Sequence, residues 1–445
     1  MVPGKPLVQK ITPNSFLTVI PPSLTTADRT TGTHSSSSHT EDGTSPTILF
    51  FIPGNPGLIA YYHLFLVLLA RELERDSHYR HEEDCSVSGR NSGSGSGSDH
   101  GFVIFGRSMG GFELRDGELR SALLTRTTSV EAGQQEKPEE EEKGEKATAE
   151  AATGATAAAA AGGDDDGESD EVARLYGLEQ QIEFVERQLE KCVRRWRTSS
   201  TASKRTKVIL VGHSVGAYVA MEILRRRRET EKGAMAEDGD YAPMEIIGGV
   251  MLFPTIVDIA KSSAGKRLTL LLNVIPYLDI VTGVIARTLT SVLPDSVLRQ
   301  VVATVMRHPR EDAINTTMAF LKSKCGVRQA IHMAADEMRN ITVDKWNDEV
   351  WGIAAPEMPF DRQNGPPAQL VFYFGRNDHW VAEQTRDDII KARGSKVNTQ
   401  GGAGPKMVLC EDNVVHGFCI GHSDIMARKV AGFVRDILME QRKKR

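Results

Sequence analysis

The chain has 445 residues, 40% of them hydrophobic and 25% charged, enough for one large domain or two to three smaller ones with a sizeable core. Its formal net charge of −5 is unevenly spread, because Glu131–Asp170 holds 13 acids and 3 bases and leaves the remainder at +5. That mild basicity is compatible with an anionic membrane surface. It lacks the basic stripe with interleaved aromatics that marks a nucleic-acid binder. The five cysteines (Cys85, Cys192, Cys325, Cys410 and Cys419) are odd in number and unspaced for metal, which reads as reduced and intracellular rather than secreted.

Residues 1–46 read as an N-terminal strand or strands followed by a Ser/Thr-rich linker, Thr25–Pro46. Met1–Pro21 has no apolar run behind a basic start, so no signal peptide is expected. From residue 47 the pattern alternates between short apolar runs and helical periodicity. Thr47–Ile52 is a strand, Tyr61–Glu74 a helix and Gly101–Phe105 a short strand. Two inserts interrupt this part, Asp76–Asp99 and Glu113–Glu171; both lack apolar periodicity and are expected to be disordered. Gly177–Trp196 follows as an amphipathic helix, with Leu178, Ile182, Val185, Leu189 and Val193 on one face. Strand Val208–Val211, helix Ala217–Arg228 and strand Ile246–Leu252 close a first core segment, 47–252.

Residues 253–367 read as a largely helical cap or lid. Within it Leu268–Leu293 is apolar but broken by Pro276, Asp279 and Arg287, too polar to span a bilayer. It is expected either to pack on the core or to lie in a membrane interface. The second core segment, 368–445, holds strand Gln369–Phe374, helix Ala382–Lys391, strand Met407–Cys410 and a last helix, Ser423–Glu440. Repeated β-α units predict an α/β fold, a mostly parallel central sheet with helices on both faces.

The chemistry is concentrated in Gly212-His213-Ser214-Val215-Gly216, which follows a β-branched run and opens a helix. Such a sharp strand-to-helix turn exposes the serine hydroxyl and aims the next backbone N–H, that of Val215, at a developing oxyanion. A second Gly-x-Ser-x-Gly centres on Ser108. It lacks an apolar helix behind it, leads into the insert, and sits one β-α unit too early, so Ser214 is preferred. The second oxyanion donor is expected from Pro53-Gly54-Asn55-Pro56-Gly57, at the N–H of Asn55, since Pro56 has none. A serine nucleophile needs a base, and the base an orienting acid, in the chain order Ser, acid, His. Asp378 sits just past a late strand, with a helix-capping role as the alternative. His416 follows the last strand and is the natural base. His379, His422 and Asp412 compete from nearby positions, and His213 is expected to pack beneath the elbow. The run Arg225–Arg228 reads as a favourable helix C-terminus.

These residues resemble the lipid droplet-associated hydrolase family of α/β-hydrolases. The matching pieces are Phe51–Gly57, Tyr176–Ile182, Gly212–Tyr218, Leu252–Ile256 with Ser262–Arg267, Phe372–Gly375 with Asp378, and His416–Phe418. The resemblance implies a serine esterase or lipase acting on neutral lipids such as sterol esters or triacylglycerol. It also implies residence on lipid droplets and the endoplasmic reticulum. The family's serine, acid and histidine fall on Ser214, Asp378 and His416. This chain departs from the family in its long insert and in Gly106–Gly111, where the family usually carries a histidine-containing loop. No metal or cofactor is implied. The other readings are a lipid-droplet surface protein with little or no turnover, and a serine acyltransferase.

Overall fold

A computed structural model describes residues 8–21, 46–87, 101–114, 174–197, 205–233, 243–353, 367–394 and 404–443. Within these, eight strands form one sheet: β1 (Val8–Thr12), β2 (Ser15–Ile20), β3 (Thr47–Ile52), β4 (Phe102–Arg107), β5 (Thr206–His213), β6 (Met244–Leu252), β7 (Gln369–Phe374) and β8 (Lys406–Leu409). Their order across the sheet is β1-β2-β4-β3-β5-β6-β7-β8. β2 pairs antiparallel with both neighbours, while β4 to β8 pair parallel throughout. This is the α/β-hydrolase arrangement.

Four helices cover the sheet: α1 (His63–Val87), α2 (Leu178–Trp196) and α3 (Val215–Gly233) early in the chain, and a long C-terminal helix, Ser423–Lys443, last. Side chains alternate across a strand, so each central strand feeds two cores. Ile48, Phe50, Ile52, Val208 and Leu210 pack toward α2 and α3. Leu49, Phe51, Ile209 and Val211 pack toward α1 and the C-terminal helix. Burial on both faces is why these strands read as unbroken apolar runs rather than as alternating ones.

Between β6 and β7 come α4 (Ser263–Val274), α5 (Leu278–Val292), α6 (Asp295–Val305), α7 (Glu311–Lys322) and α8 (Gly326–Asn340). After β7 come α9 (Glu383–Ile389) and then the C-terminal helix, α10. The stretch 268–293 is two helices, α4 and α5, bent by 95° at their junction. Ser262 caps α4 by accepting the Gly265 N–H at 2.9 Å. Tyr277, after Pro276, starts α5 in a left-handed conformation, φ 55°. Among the described residues no single helix is long and apolar enough to cross a membrane.

Element ends differ from the sequence reading at several places, mostly by a few residues. α1 continues to Val87, so the first part of the expected Asp76–Asp99 insert extends that helix. β4 is Phe102–Arg107, displaced from the expected Gly101–Phe105. Thr25–Ser45, 88–99 and 115–171, the bulk of the expected linkers, lie outside the described residues. The arginine run pairs across to α2 rather than with its own helix end alone: Arg226 reaches Glu179 and Glu186, and Arg227 reaches Glu190.

Candidate active site

β3 has β4 on one side and β5 on the other, so the chain order reverses there. Parallel α/β sheets open a crevice at such a switch point, outside the strand C-termini. Gly54 and Asn55 leave β3 at that point, and Ser214 leaves β5 beside them. Asp378 and His416 arrive from beyond β7 and β8.

Ser214 occupies a left-handed backbone conformation, φ 55°, at the junction of β5 and α3. The flanking glycines are sterically required. A Cβ on Gly212 would lie 2.4 Å from the Gly216 carbonyl oxygen, and one on Gly216 would lie 2.4 Å from that of Ile52. The Ser214 N–H donates to the Leu252 carbonyl at 2.9 Å, which ties the strained turn to β6. Packing of this kind is what lets a non-glycine residue hold such a conformation. Val215 is the first residue of α3, and the first N–H groups of a helix have no partner within it.

Three side chains fall into one line. The Ser214 hydroxyl donates to His416 Nε2 at 2.9 Å, and His416 Nδ1–H donates to Asp378 Oδ2 at 2.8 Å. The other Asp378 oxygen accepts the Trp380 N–H at 2.8 Å, so this carboxylate is fixed at both ends and almost fully buried. With Nδ1–H committed to Asp378, His416 Nε2 keeps a lone pair for the serine proton. Of the competing groups, Asp412 pairs with Lys429 at 2.7 Å, and the ring that meets both Ser214 and Asp378 is that of His416, not His379 or His422.

Ser108 is buried, and its hydroxyl accepts the Ile59 N–H at 3.1 Å. Its own N–H donates to the Asn14 carbonyl of the turn between β1 and β2, which adds structural ties rather than exposure. No described helix follows it. This loop is a scaffold for the turn after β3: a Cβ on Gly57 would lie 2.6 Å from that of Met109.

The floor of the site contains a network that the sequence reading saw only in part. The Gly54 N–H donates to the Tyr62 hydroxyl at 3.1 Å, and Tyr62 stands 2.7 Å from His213 Nδ1. His213 Nε2 lies 2.9 Å from the His416 carbonyl oxygen. Donors and acceptors balance in one way: Tyr62 O–H donates to Nδ1, and Nε2–H donates to the His416 carbonyl. His213 is therefore neutral, and burial first, then the neighbouring His416, holds its pKa well below the ordinary histidine value. Phe253 and Phe418 close around the two histidines at ring separations of 5.0 to 6.1 Å. His213 thus packs beneath the elbow and links the loop after β3 to the backbone of His416. Its signal in the sequence was its position beside Ser214; Tyr62 carried none beyond its closeness to the Pro-Gly loop.

Asn55 follows β3 in the loop against Ser214: a Cβ on the adjacent Gly54 would lie 2.9 Å from Ser214 Cβ. The Asn55–Pro56 peptide is cis. The Asn55 side chain turns away toward α8, donating to the Ala330 carbonyl at 3.0 Å and to Glu337 Oε1 at 2.9 Å. Glu337 was not singled out from sequence, where it is one acid among many on an amphipathic helix. Among the described residues no group of three or more His, Cys, Asp or Glu gathers as a metal site would require.

A family model described as lipid-droplet associated hydrolase matches residues 149–419. A lipid droplet-associated hydrolase of Gallus gallus is 27% identical over 271 residues, 60% of this chain and 68% of that protein. The Homo sapiens protein of the same description is 24% identical over 270 residues, 61% of this chain and 68% of its own length. Among solved structures, a peroxisomal α/β-hydrolase from Saccharomyces cerevisiae is 8% identical with a TM-score of 0.43, covering 97% of this chain and 91% of that one.

Proposed function

Because the chain belongs to the lipid-droplet associated hydrolase family, we propose that this hydrolase is a serine enzyme cleaving carboxylic esters of neutral lipids, sterol esters or acylglycerols, at a lipid-droplet surface. The single observation that carries the reading is the unbroken hydrogen-bond line from Asp378 through His416 to Ser214.

Ser214 Oγ attacks the ester carbonyl while His416 Nε2 takes its proton. Asp378 holds the imidazole in the required tautomer and stabilises the cation that forms. The tetrahedral oxyanion is received by the N–H groups of Val215 and Asn55, fixed donors that need no rearrangement as charge develops. His416 then returns the proton to the leaving alcohol oxygen, leaving an acyl group on Ser214. Water, deprotonated by the same histidine, releases the fatty acid and restores the serine. The buried aromatic floor keeps the local dielectric low and strengthens each of these contacts.

The lipid-facing part of the proposal rests on surface chemistry. Leu270 and Val274 of α4, Val284, Ile285 and Val292 of α5, and Tyr277 at the bend between them are exposed, as are Val297, Val301 and Val305 of α6. So many large apolar side chains exposed on three successive helices are unusual on a protein that meets only water, and they mark an interaction face. Lying in the surface of a lipid droplet, or of the cytoplasmic face of the endoplasmic reticulum, would bury it.

A fluorophosphonate probe tests the chemistry. Wild type and Ser108→Ala are expected to label, and Ser214→Ala is not. Absence of labelling in wild type would return the chain to the second reading, a droplet-surface protein without turnover, which the exposed apolar helices favour. Labelling lost only in Ser108→Ala would move the nucleophile to the other turn.

A further inference from the structure

We infer that Glu337 is a positioning residue that clamps the oxyanion loop to the cap, so that the hole assembled around Asn55 depends on the seating of α8. This rests on the reading of Asn55 as an oxyanion donor. The argument begins with the direction of groups on a helix. Carbonyls point toward the C-terminus, whereas side chains lean back toward the N-terminus. The Ala330 carbonyl and the Glu337 side chain, seven residues apart on one face of α8, therefore converge. Where they converge, both accept from one atom, Asn55 Nδ2, at 3.0 and 2.9 Å. Two acceptors from one rigid helix fix the amide in direction as well as distance. The backbone of Asn55, whose N–H is the proposed donor, is fixed with it.

Glu337 is an expensive choice for a helix that needs only to pack. Its side chain is buried, and the groups recorded against its carboxyl are the Asn55 amide and the like-charged Asp336. A buried carboxyl without a cation destabilises, and a leucine of similar size would not. Burial pushes the Glu337 carboxyl up to about 8, with Asp336 adding to the shift, so the neutral acid predominates near pH 7. Glutamine is then its closest mimic. Asp336 is used differently: it accepts the Leu178 N–H at 2.7 Å and holds α8 against the start of α2.

The other side of α8 meets the apolar helices. α4, α5 and α7 all pack on it, and Arg328 of α8 pairs with Asp279 of α5 at 3.0 Å. α8 thus stands between the surface proposed to meet lipid and the loop proposed to hold the oxyanion. Movement of the cap on its lipid surface has a direct mechanical route to Asn55.

Steady-state turnover of p-nitrophenyl butyrate, a small soluble ester that needs no lipid surface, tests the clamp. Glu337→Leu is expected to lower kcat about tenfold to a hundredfold, less than or equal to the loss of a whole oxyanion donor, with KM within about threefold of wild type. Glu337→Gln is expected to recover most of that rate. Asn55→Ala should lower kcat similarly, and the Asn55→Ala/Glu337→Leu double variant should fall no further than either single one, because both break the same contact. Wild-type kcat in Glu337→Leu, equal losses in the Gln and Leu variants, or additive losses in the double variant would each overturn the inference while wild type remained active. A wild type that neither turns over ester nor labels at Ser214 would remove the proposed function, and the clamp with it. If Glu337→Leu does not fold, the comparison of Asn55→Ala with Glu337→Gln decides: an unaltered kcat in Asn55→Ala overturns the clamp.

Discussion

The tightest constraint in the molecule is at one residue. Ser214 can hold φ 55° only because the backbone of the turn is gripped on three sides: by Gly212, by Gly216 against the Ile52 carbonyl, and by the hydrogen bond to Leu252. Gly216→Ala places a methyl 2.4 Å from a backbone oxygen that cannot step aside without moving β3. Overpacking of this kind costs up to about 3 kcal/mol. The variant is expected to unfold at a lower urea concentration and to lose probe labelling at Ser214 even where it remains folded. A Gly216→Ala protein with wild-type labelling would show that the elbow tolerates relaxation. At this scale the sequence was informative. Gly-x-Ser-x-Gly is legible because its residue types are forced by sterics, and Asp378 and His416 were reachable because each lies just past a strand end. What it did not contain was the pair of atoms against which the histidine and the loop are set, Tyr62 Oη and His213 Nε2. Hydrogen bonds spanning 151 and 203 residues have no spacing to read.

At the scale of elements, the cap is where pattern and environment part. α4, α5 and α6 are amphipathic by sequence, and that pattern usually means one face on a core. Here each keeps a packed side, with Leu272, Ala286 and Leu298 on it, and carries further apolar side chains in solvent, Val274, Val292 and Val305 among the most exposed. Helical periodicity alone gives no sign of whether an apolar face meets protein or lipid, which is why packing and interfacial docking both stood open for Leu268–Leu293. The 95° bend follows from Pro276, which cannot donate into a continuing helix, and from the left-handed Tyr277. Replacing Val274, Val284 and Val292 together by aspartate leaves the packed faces alone. It is expected to reduce co-flotation with triolein droplets coated in phosphatidylcholine at least tenfold, while turnover of a soluble ester stays within about twofold. Undiminished flotation would show that the apolar face is not the lipid contact.

For the whole molecule, stability depends on two separate cores laid on opposite faces of one sheet. One of them encloses His63, on α1 against Phe16, whose Nε2 is buried with no partner among the described residues. Burial lowers its pKa from 6.5 to about 4, with the nearby Asp312 opposing the shift. A histidine lowered in the fold is protonated first in the unfolded chain, so it withdraws stability as pH falls from about 6.5 toward 4, and levels off below that. The loss between pH 7 and pH 5 is about 2 kcal/mol from this residue alone. His63→Leu is expected to flatten that portion of the urea-midpoint profile while leaving the pH 7 value near wild type. A profile unchanged by the substitution would place the acid sensitivity elsewhere.

Sequence by itself determined the alternation of strand and helix, the serine turn and the order in which Asp378 and His416 follow it. Each of these is set within a few residues, by steric demands on glycine, by apolar runs buried on both faces, and by the polar turns that end strands. Tertiary structure alone decided which way β2 runs at the sheet edge, where α1 ends, how the cap helices bend, and that α8 reaches back across the switch point to Asn55. Those outcomes depend on contacts between segments hundreds of residues apart. Glu337 and Asn55, 282 positions from each other, meet only when the sheet has twisted and the cap has closed over it.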